Sequence, residues 1–177
     1  MGALQLGFPN LTMIPQSWFL IVIDLKDCFF TVPLHPNDRS QFAFSVPVIN
    51  NAQPMKCYQW KVLPQGMKNS RTICQCYVHS VLGPIRQQNP HLVIYHYMDD
   101  ILLAAQEQEA LQKGYQQLQN RLVQSGLQIA PEKIQQVEPW KYLGHILTYC
   151  SLRPQRLCLN IEVTTLNDLQ KLLGTIN

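Results

Sequence analysis

Hydrophobic residues fall along this chain in blocks of differing length and period, which sort them into strands and helices. The run Trp18-Phe19-Leu20-Ile21-Val22-Ile23 is too short for a helix and rich in β-branched and aromatic residues. It predicts a strand buried on both faces that ends at Asp24. Residues 41–46 and 55–62 predict a hairpin whose connection holds the turn formers Asn50 and Asn51. Ile73, Tyr77, Val81, Leu82 and Ile85 keep helical spacing, with Ser70 as N-cap and Gly83-Pro84 kinking or ending the helix. Residues 92–98 and 101–105 read as strands on either side of Asp99-Asp100. Leu111, Tyr115, Leu118 and Leu122 form the stripe of an amphipathic helix over 107–125, stopped by Gly126. Residues 142–147 and 157–161 read as strands, 166–173 as a closing helix, and 1–16 as a loop with one short helical turn. Adjacent strands interrupted by single long helices predict an α+β fold, an antiparallel sheet with helices packed on one face.

With 177 residues, 46% of them hydrophobic, the chain is neither disordered nor collagen-like and suits one compact domain. Charged residues supply only 14%, and the formal net charge of +3 permits a polyanionic partner without demanding one. The six cysteines, Cys28, Cys57, Cys74, Cys76, Cys150 and Cys158, make no CxxC pair and no zinc-ligand spacing. No signal peptide is marked near Met1, and no apolar run approaches the roughly 20 residues of a membrane span. The expectation is a soluble, intracellular, thiol-reduced protein with no membrane partner.

Asp24 ends one apolar strand and Asp99-Asp100 interrupt another, settings in which a carboxylate is costly unless paired, hydrogen-bonded or cation-bound. One reading makes Asp99-Asp100 a solvated hairpin turn and Asp24 a strand-end cap. The other brings Asp24 and Asp99 together at neighbouring strand ends, because hard Mg²⁺ prefers carboxylate and phosphate oxygens. Two such ions about 4 Å apart activate a hydroxyl and stabilise a leaving pyrophosphate. Strand alternation then makes one of Asp99 and Asp100 primary and the other supporting.

Tyr97-Met98-Asp99-Asp100, preceded by apolar residues 92–96, resembles the catalytic box of retroviral reverse transcriptases. Asp24-Leu25-Lys26-Asp27-Cys28-Phe29-Phe30, followed by Val32-Pro33-Leu34, resembles that family's first aspartate motif. Leu63-Pro64-Gln65-Gly66-Met67 with Ser70 resembles the segment beneath the incoming nucleotide, and Tyr142-Leu143-Gly144 the turn of the primer grip. Gly2-Ala3-Leu4-Gln5, residues 24–30 and residues 166–177 are similar to Pol of class II endogenous retroviruses, betaretrovirus-like and of the HERV-K type.

The resemblance implies an RNA-directed DNA polymerase domain whose metal ligands are Asp24, Asp99 and Asp100, holding two Mg²⁺ ions with Mn²⁺ as substitute. It implies that Phe29 is an aromatic gate against the sugar, though the residues alone favour an ordinary core Phe. Gln65 and Gly66 fall where the family contacts the nucleotide sugar, Gln65 being otherwise a turn amide. Tyr97 and Met98 fall at the primer terminus. Lys133 falls near a lysine that protonates the departing pyrophosphate, or is a solvated lysine. Phe42 and Ala43 fall beneath the nucleotide. The implied partners are an RNA or DNA template-primer duplex, dNTPs, and the remaining Pol subdomains or a second Pol chain, in the cytoplasm or a virus-like particle.

The domain expectation is a partial unit over 1–177: a palm with part of the fingers, the thumb beginning near 145–177, and no RNase H domain within the chain. The family's basic fingers hairpin would precede residue 1, and the bulk of the thumb, the connection and RNase H would follow residue 177. Ser70 is followed by Arg71 where the family usually has proline, which places positive charge at a helix start against the macrodipole. Three functions compete: template-directed nucleotidyl transfer, a non-catalytic endogenous Pol remnant with weak nucleic-acid binding, and an interaction module using exposed apolar surface.

Overall fold

The computed structural model describes residues 9–47, 49–51, 53–155, 165–168 and 170. Its centre is a four-stranded antiparallel sheet built from β1 (Phe19–Lys26), β4 (Val93–Tyr97), β5 (Asp100–Ala105) and β6 (Gln128–Ile129), in the order β4-β5-β1-β6. The remaining elements are α1 (Cys28–Thr31), the exposed hairpin β2 (Ala43–Val46) and β3 (Lys56–Gln59), α2 (Ser70–Gln88), α3 (Gln108–Gln124), and a second sheet of β7 (Trp140–Tyr142), β8 (His145–Leu147) and β9 (Leu152–Pro154). Short 3-10 turns at Leu11–Met13, Pro36–Phe42, Ile49–Asn51 and Pro131–Lys133 join them.

The side-chain alternation of β1 divides the core in two. Ile21, Ile23 and Leu25 pack with Ile101, Leu103 and Ile94 under α2 and α3, which contribute Cys74, Val78, Leu82, Leu118 and Leu122. Leu20 and Val22 pack with Leu102 and Ala104 on the other face, under Leu11, Trp140, Tyr142 and Leu147. The central sheet is thus buried on both faces, as its unbroken apolar run requires. Each of these aliphatic side chains contributes about 1.5–3 kcal/mol by leaving water, and Leu103→Ala would cost about 2–5 kcal/mol.

Helix α3 keeps its expected face and ends in a Schellman motif: Leu127 N–H donates to Leu122 O at 2.9 Å and Gly126 N–H to Val123 O at 3.0 Å. The motif needs Gly126 at φ 76°, where a side chain would be strained. Gly114 of α3 lies against the side chain of Leu92, whose tip would have to shift to admit a Cβ there.

Several expectations are corrected. Strand β1 does not end at Asp24 but runs to Lys26, because Asp24 pairs with Asp100 and Leu25 and Lys26 pair with β6. Ser70 is not the N-cap of α2; Asn69 holds that position, and the Ser70 hydroxyl donates to Pro64 O at 2.7 Å. The helix passes through Gly83-Pro84 to Gln88, since burial of Val81, Leu82 and Ile85 outweighs the hydrogen bond lost at Pro84. Its inner face is led by Cys74 and Val78, leaving Ile73 exposed. The expected strand over 142–147 is two strands, β7 and β8, turned at Leu143 and Gly144 with φ 46° and 73°. The expected hairpin forms, with strands shorter than predicted. The strand expected over 157–161 lies outside the described residues. Of the closing helix, residues 166–168 and 170 are helical.

Candidate active site

Sheet register assembles the first part of the site. Tyr97, Asp100 and Asp24 are consecutive cross-strand partners in one row over β4, β5 and β1, so their side chains share the sheet face opposite α2 and α3. Asp24 and Asp100 line one cavity of about 240 Å³ together with Val22, Glu132, Lys133, Ile134 and Gln135. Asp99 stands in the β4–β5 turn, where its carbonyl accepts from Leu25 N–H at 2.8 Å. Its charge still reaches Asp100. Burial first, then Asp99, then Asp24, push the Asp100 carboxyl up to about 6.

The Lys133 ammonium lies 3.0 and 3.1 Å from the two Asp24 carboxylate oxygens. That position is bracketed by backbone: Ala130 N–H donates to Asp24 O at 2.9 Å, and Val22 and Gln135 exchange bonds of 3.0 and 2.8 Å. The Asp24 bond, then its charge, raise the Lys133 ammonium above its ordinary value. The lysine is largely exposed, with 58% of its side chain accessible, so solvent screening keeps the pair from being a major source of stability.

A second group holds the β4–β5 turn in place from beneath. Gln75, buried in α2, accepts from Met98 N–H through Oε1 at 2.6 Å, fixing a non-glycine residue at φ 54°. The Gln75 carbonyl lies 3.4 Å from His96 Nε2, while Arg86 Nη2 lies 2.9 Å from His96 Nδ1. Arg86 also donates to Ile94 O from Nε and Nη2, at 3.1 and 3.0 Å, which occupies a carbonyl of edge strand β4. Burial, then the Arg86 charge, hold His96 down to about 4, so it is neutral and serves as acceptor.

Loops form the second cavity. Pro33 bridges Val62, Leu63 N–H donates to Val32 O at 2.9 Å, and Leu34 N–H donates to Lys61 O at 2.9 Å. These bonds carry residues 65–68 back toward α1. Phe29, Gln65 and Gly66 thereby line a cavity of about 630 Å³ with Lys68, Ser70 and Arg71. Gly66, at φ 87°, makes its turn possible.

The family model for reverse transcriptase (RNA-dependent DNA polymerase) matches residues 1–147. The chain belongs to the reverse transcriptase family. It is 54% identical over 177 residues to the Gag-Pro-Pol polyprotein of squirrel monkey retrovirus, a match covering 99% of this chain and 9% of that protein. Against the Pol-related polyprotein of mouse intracisternal A-particle MIA14 it is 50% identical, over 99% of this chain and 20% of that protein. Against the Gag-Pro-Pol polyprotein of Mason-Pfizer monkey virus it is 48% identical, over 100% of this chain and 10% of that protein. The chain therefore spans a fifth or less of the length of these relatives.

In this reverse transcriptase domain, the expected residues divide into two clusters. Asp24, Asp100 and Lys133 meet at one cavity with Tyr97 in the same row, and Phe29, Gln65 and Gly66 meet at the other. Asp99 and Met98 form the turn beside the first. Strand register joins Asp24 to Asp100 rather than to Asp99, and among the described residues no three side chains converge at metal-ligand distances. Sequence reasoning missed Gln75, Arg86, His96 and Lys68. Gln75 carried a readable signal, a polar residue on the stripe it shares with Val78, Leu82 and Ile85. No helix among the described residues is long and apolar enough to cross a membrane.

Proposed function

We propose that this chain carries the nucleotidyl-transfer centre of an RNA-directed DNA polymerase, joining a dNTP to a primer 3′-OH on an RNA or DNA template. The observation that supports it most is the pairing of Asp24 with Asp100 at one cavity, with Asp99 in the adjoining turn near enough for its charge to act on Asp100. Hard oxygen donors in a shallow open cavity suit Mg²⁺, with Mn²⁺ as substitute. The Lys133 ammonium on both Asp24 oxygens already stands where a cation is favoured. Asp24 and Asp99, assisted by Asp100, would hold the ions, which when bound supply activation of the 3′-hydroxyl and stabilisation of leaving pyrophosphate.

The other roles belong to the protein's own groups. Lys68 and Arg71 offer positive charge to a triphosphate, and Phe29 sets its ring against the sugar with Gln65 and Gly66. Tyr97 and Met98 bound the primer terminus. Lys133, once released from Asp24, is the proton donor to pyrophosphate. The wider reading is a partial domain of palm, part of the fingers and the thumb's beginning near 145–177, from a betaretrovirus-like Pol of the HERV-K type. It would act inside the cell, in cytoplasm or a virus-like particle, with template-primer and the remaining Pol subdomains or a second Pol chain.

A second reading, a non-catalytic Pol remnant, draws on the same Lys133–Asp24 pair, because a carboxylate neutralised by the fold needs no metal. Primer extension on poly(rA)/oligo(dT) with Mg²⁺ or Mn²⁺, comparing the parent chain with Asp99→Asn, separates the two. Extension abolished by the substitution is expected. A folded parent no more active than the variant would leave the remnant.

A further inference from the structure

Two thiols from distant parts of the sequence meet in the core behind both cavities. Cys28 opens α1, Cys74 lies in α2, and their sulfurs are 3.1 Å apart, with side chains 3% and 0% exposed. Both are free thiols. Cys28 is followed by Phe29, and Cys74 lies about one helical turn beyond Ser70 and Arg71, all three of which line the larger cavity. A bond between the sulfurs would tie one wall of that cavity to the other.

We propose that Cys28 and Cys74 are an oxidative modification site, a dithiol that a small peroxide converts to an intramolecular disulfide. The pair shares a hydrogen bond that raises the Cys28 thiol and lowers the Cys74 thiol, which favours Cys74 as the attacking sulfur. Cys74 Sγ attacks a peroxide oxygen, the O–O bond breaks, and hydroxide leaves, giving a sulfenic acid. Cys28 Sγ then attacks that sulfur, the S–O bond breaks, and water departs. Two thiols lose two electrons and two protons, and hydrogen peroxide becomes two waters. Cys28 and Cys74 are buried, which restricts the oxidant to a small peroxide, whereas Cys57, Cys76 and Cys150 are exposed. A thiol such as dithiothreitol reverses the bond by exchange. None of this chemistry depends on polymerase activity, so it stands or falls separately from the proposed function.

The test treats the full chain with hydrogen peroxide, unfolds it, caps remaining thiols with iodoacetamide and maps the peptides by mass. A cross-linked pair holding Cys28 and Cys74, lighter by two hydrogens and lost on reduction, is expected. In a chain with Cys57, Cys76, Cys150 and Cys158 changed to serine, the unfolding midpoint should rise by about 5 °C or more on oxidation and return with dithiothreitol. The peptide map of the unaltered chain decides the matter should the serine background not fold. Exposed thiols oxidised while Cys28 and Cys74 both carry the iodoacetamide cap would overturn the proposal, as would separate sulfinic acids at the two positions.

Discussion

The carboxylate corner is assembled by paired strands, whereas the Phe29–Gln65 cavity is assembled by loop segments pinned through a few backbone bonds. In the corner, Tyr97, Asp100 and Asp24 are placed by register, so none can shift without moving a buried strand. In the loop cavity, Gln65, Gly66, Lys68 and Arg71 are exposed and held mainly by the pairing of 32–34 with 61–63 and by the Ser70–Pro64 bond. The corner concentrates negative charge and the cavity offers positive charge. Rigid placement suits groups that must share an ion, and looser placement suits groups that follow a substrate's outline.

The largest expected effect falls at the corner. Asp24→Asn should weaken Mn²⁺ binding at least about tenfold and lower primer extension at least about a hundredfold, as read by paramagnetic resonance of free Mn²⁺ and by product length. Phe29→Ala in the loop cavity should leave Mn²⁺ binding unchanged and instead admit ribonucleotides; unchanged dNTP/rNTP selectivity would remove the gate role. A variant pair with these phenotypes exchanged would reverse the comparison.

The next effect concerns acid stability. His96 is held from 6.5 down to about 4, so the unfolded chain takes that proton first as pH falls. Stability from His96 is intact above about pH 6.5 and falls by about 3 kcal/mol on reaching pH 4. Asp100 is raised from 3.8 to about 6, so its contribution runs the other way: the native carboxyl binds a proton first, and stability rises as pH falls from 6 to 4. The two nearly cancel across that window. Asp100→Asn should therefore be more stable than the parent at pH 7, by about 1–2 kcal/mol, and lose stability at about 1.4 kcal/mol per pH unit between 6 and 4. His96→Gln should show the opposite slope. Urea unfolding at three pH values reads all of them, and parallel profiles would refute the assignment.

Gln75→Leu comes next. It strips the Met98 amide of its buried partner and should cost about 1–3 kcal/mol in urea unfolding, where a change under 0.5 kcal/mol would show the turn to be held otherwise. The smallest effect belongs to the loop cavity. Arg71→Glu puts an acid in the first turn of α2 and should stabilise by about 0.5 kcal/mol, a gain that shrinks with salt; destabilisation at low salt would contradict it.

Local pattern carried α3 well, because Leu111, Tyr115, Leu118 and Leu122 are a single-face stripe and Gly126 supplies a stop that needs no tertiary help. It misjudged α2, where Ile73 and Tyr77 keep helical spacing but the buried row runs through Cys74 and Val78. Two stripes one residue apart are indistinguishable until something packs on one of them. At Asp24 the end of the apolar run looked like the end of the strand, yet backbone pairing with Asp100 and then β6 continues it. A polar side chain does not stop a ladder made by backbone bonds.

What the sequence by itself determined was the inventory: apolar strands buried on both faces, the amphipathic α3, and carboxylates embedded where burial is costly. The pattern of apolar runs singled out Asp24, Asp99 and Asp100, whereas Phe29 and Gln65 were named only through the resemblance to reverse transcriptases. Only tertiary structure decided that Asp24 faces Asp100, that Lys133 reaches back over Asp24, and that Gln75 and Arg86 brace the turn from below. Those contacts depend on register and on which helix face docks. Both are settled by the sum of many weak burial terms over the whole core, not by any window of the chain.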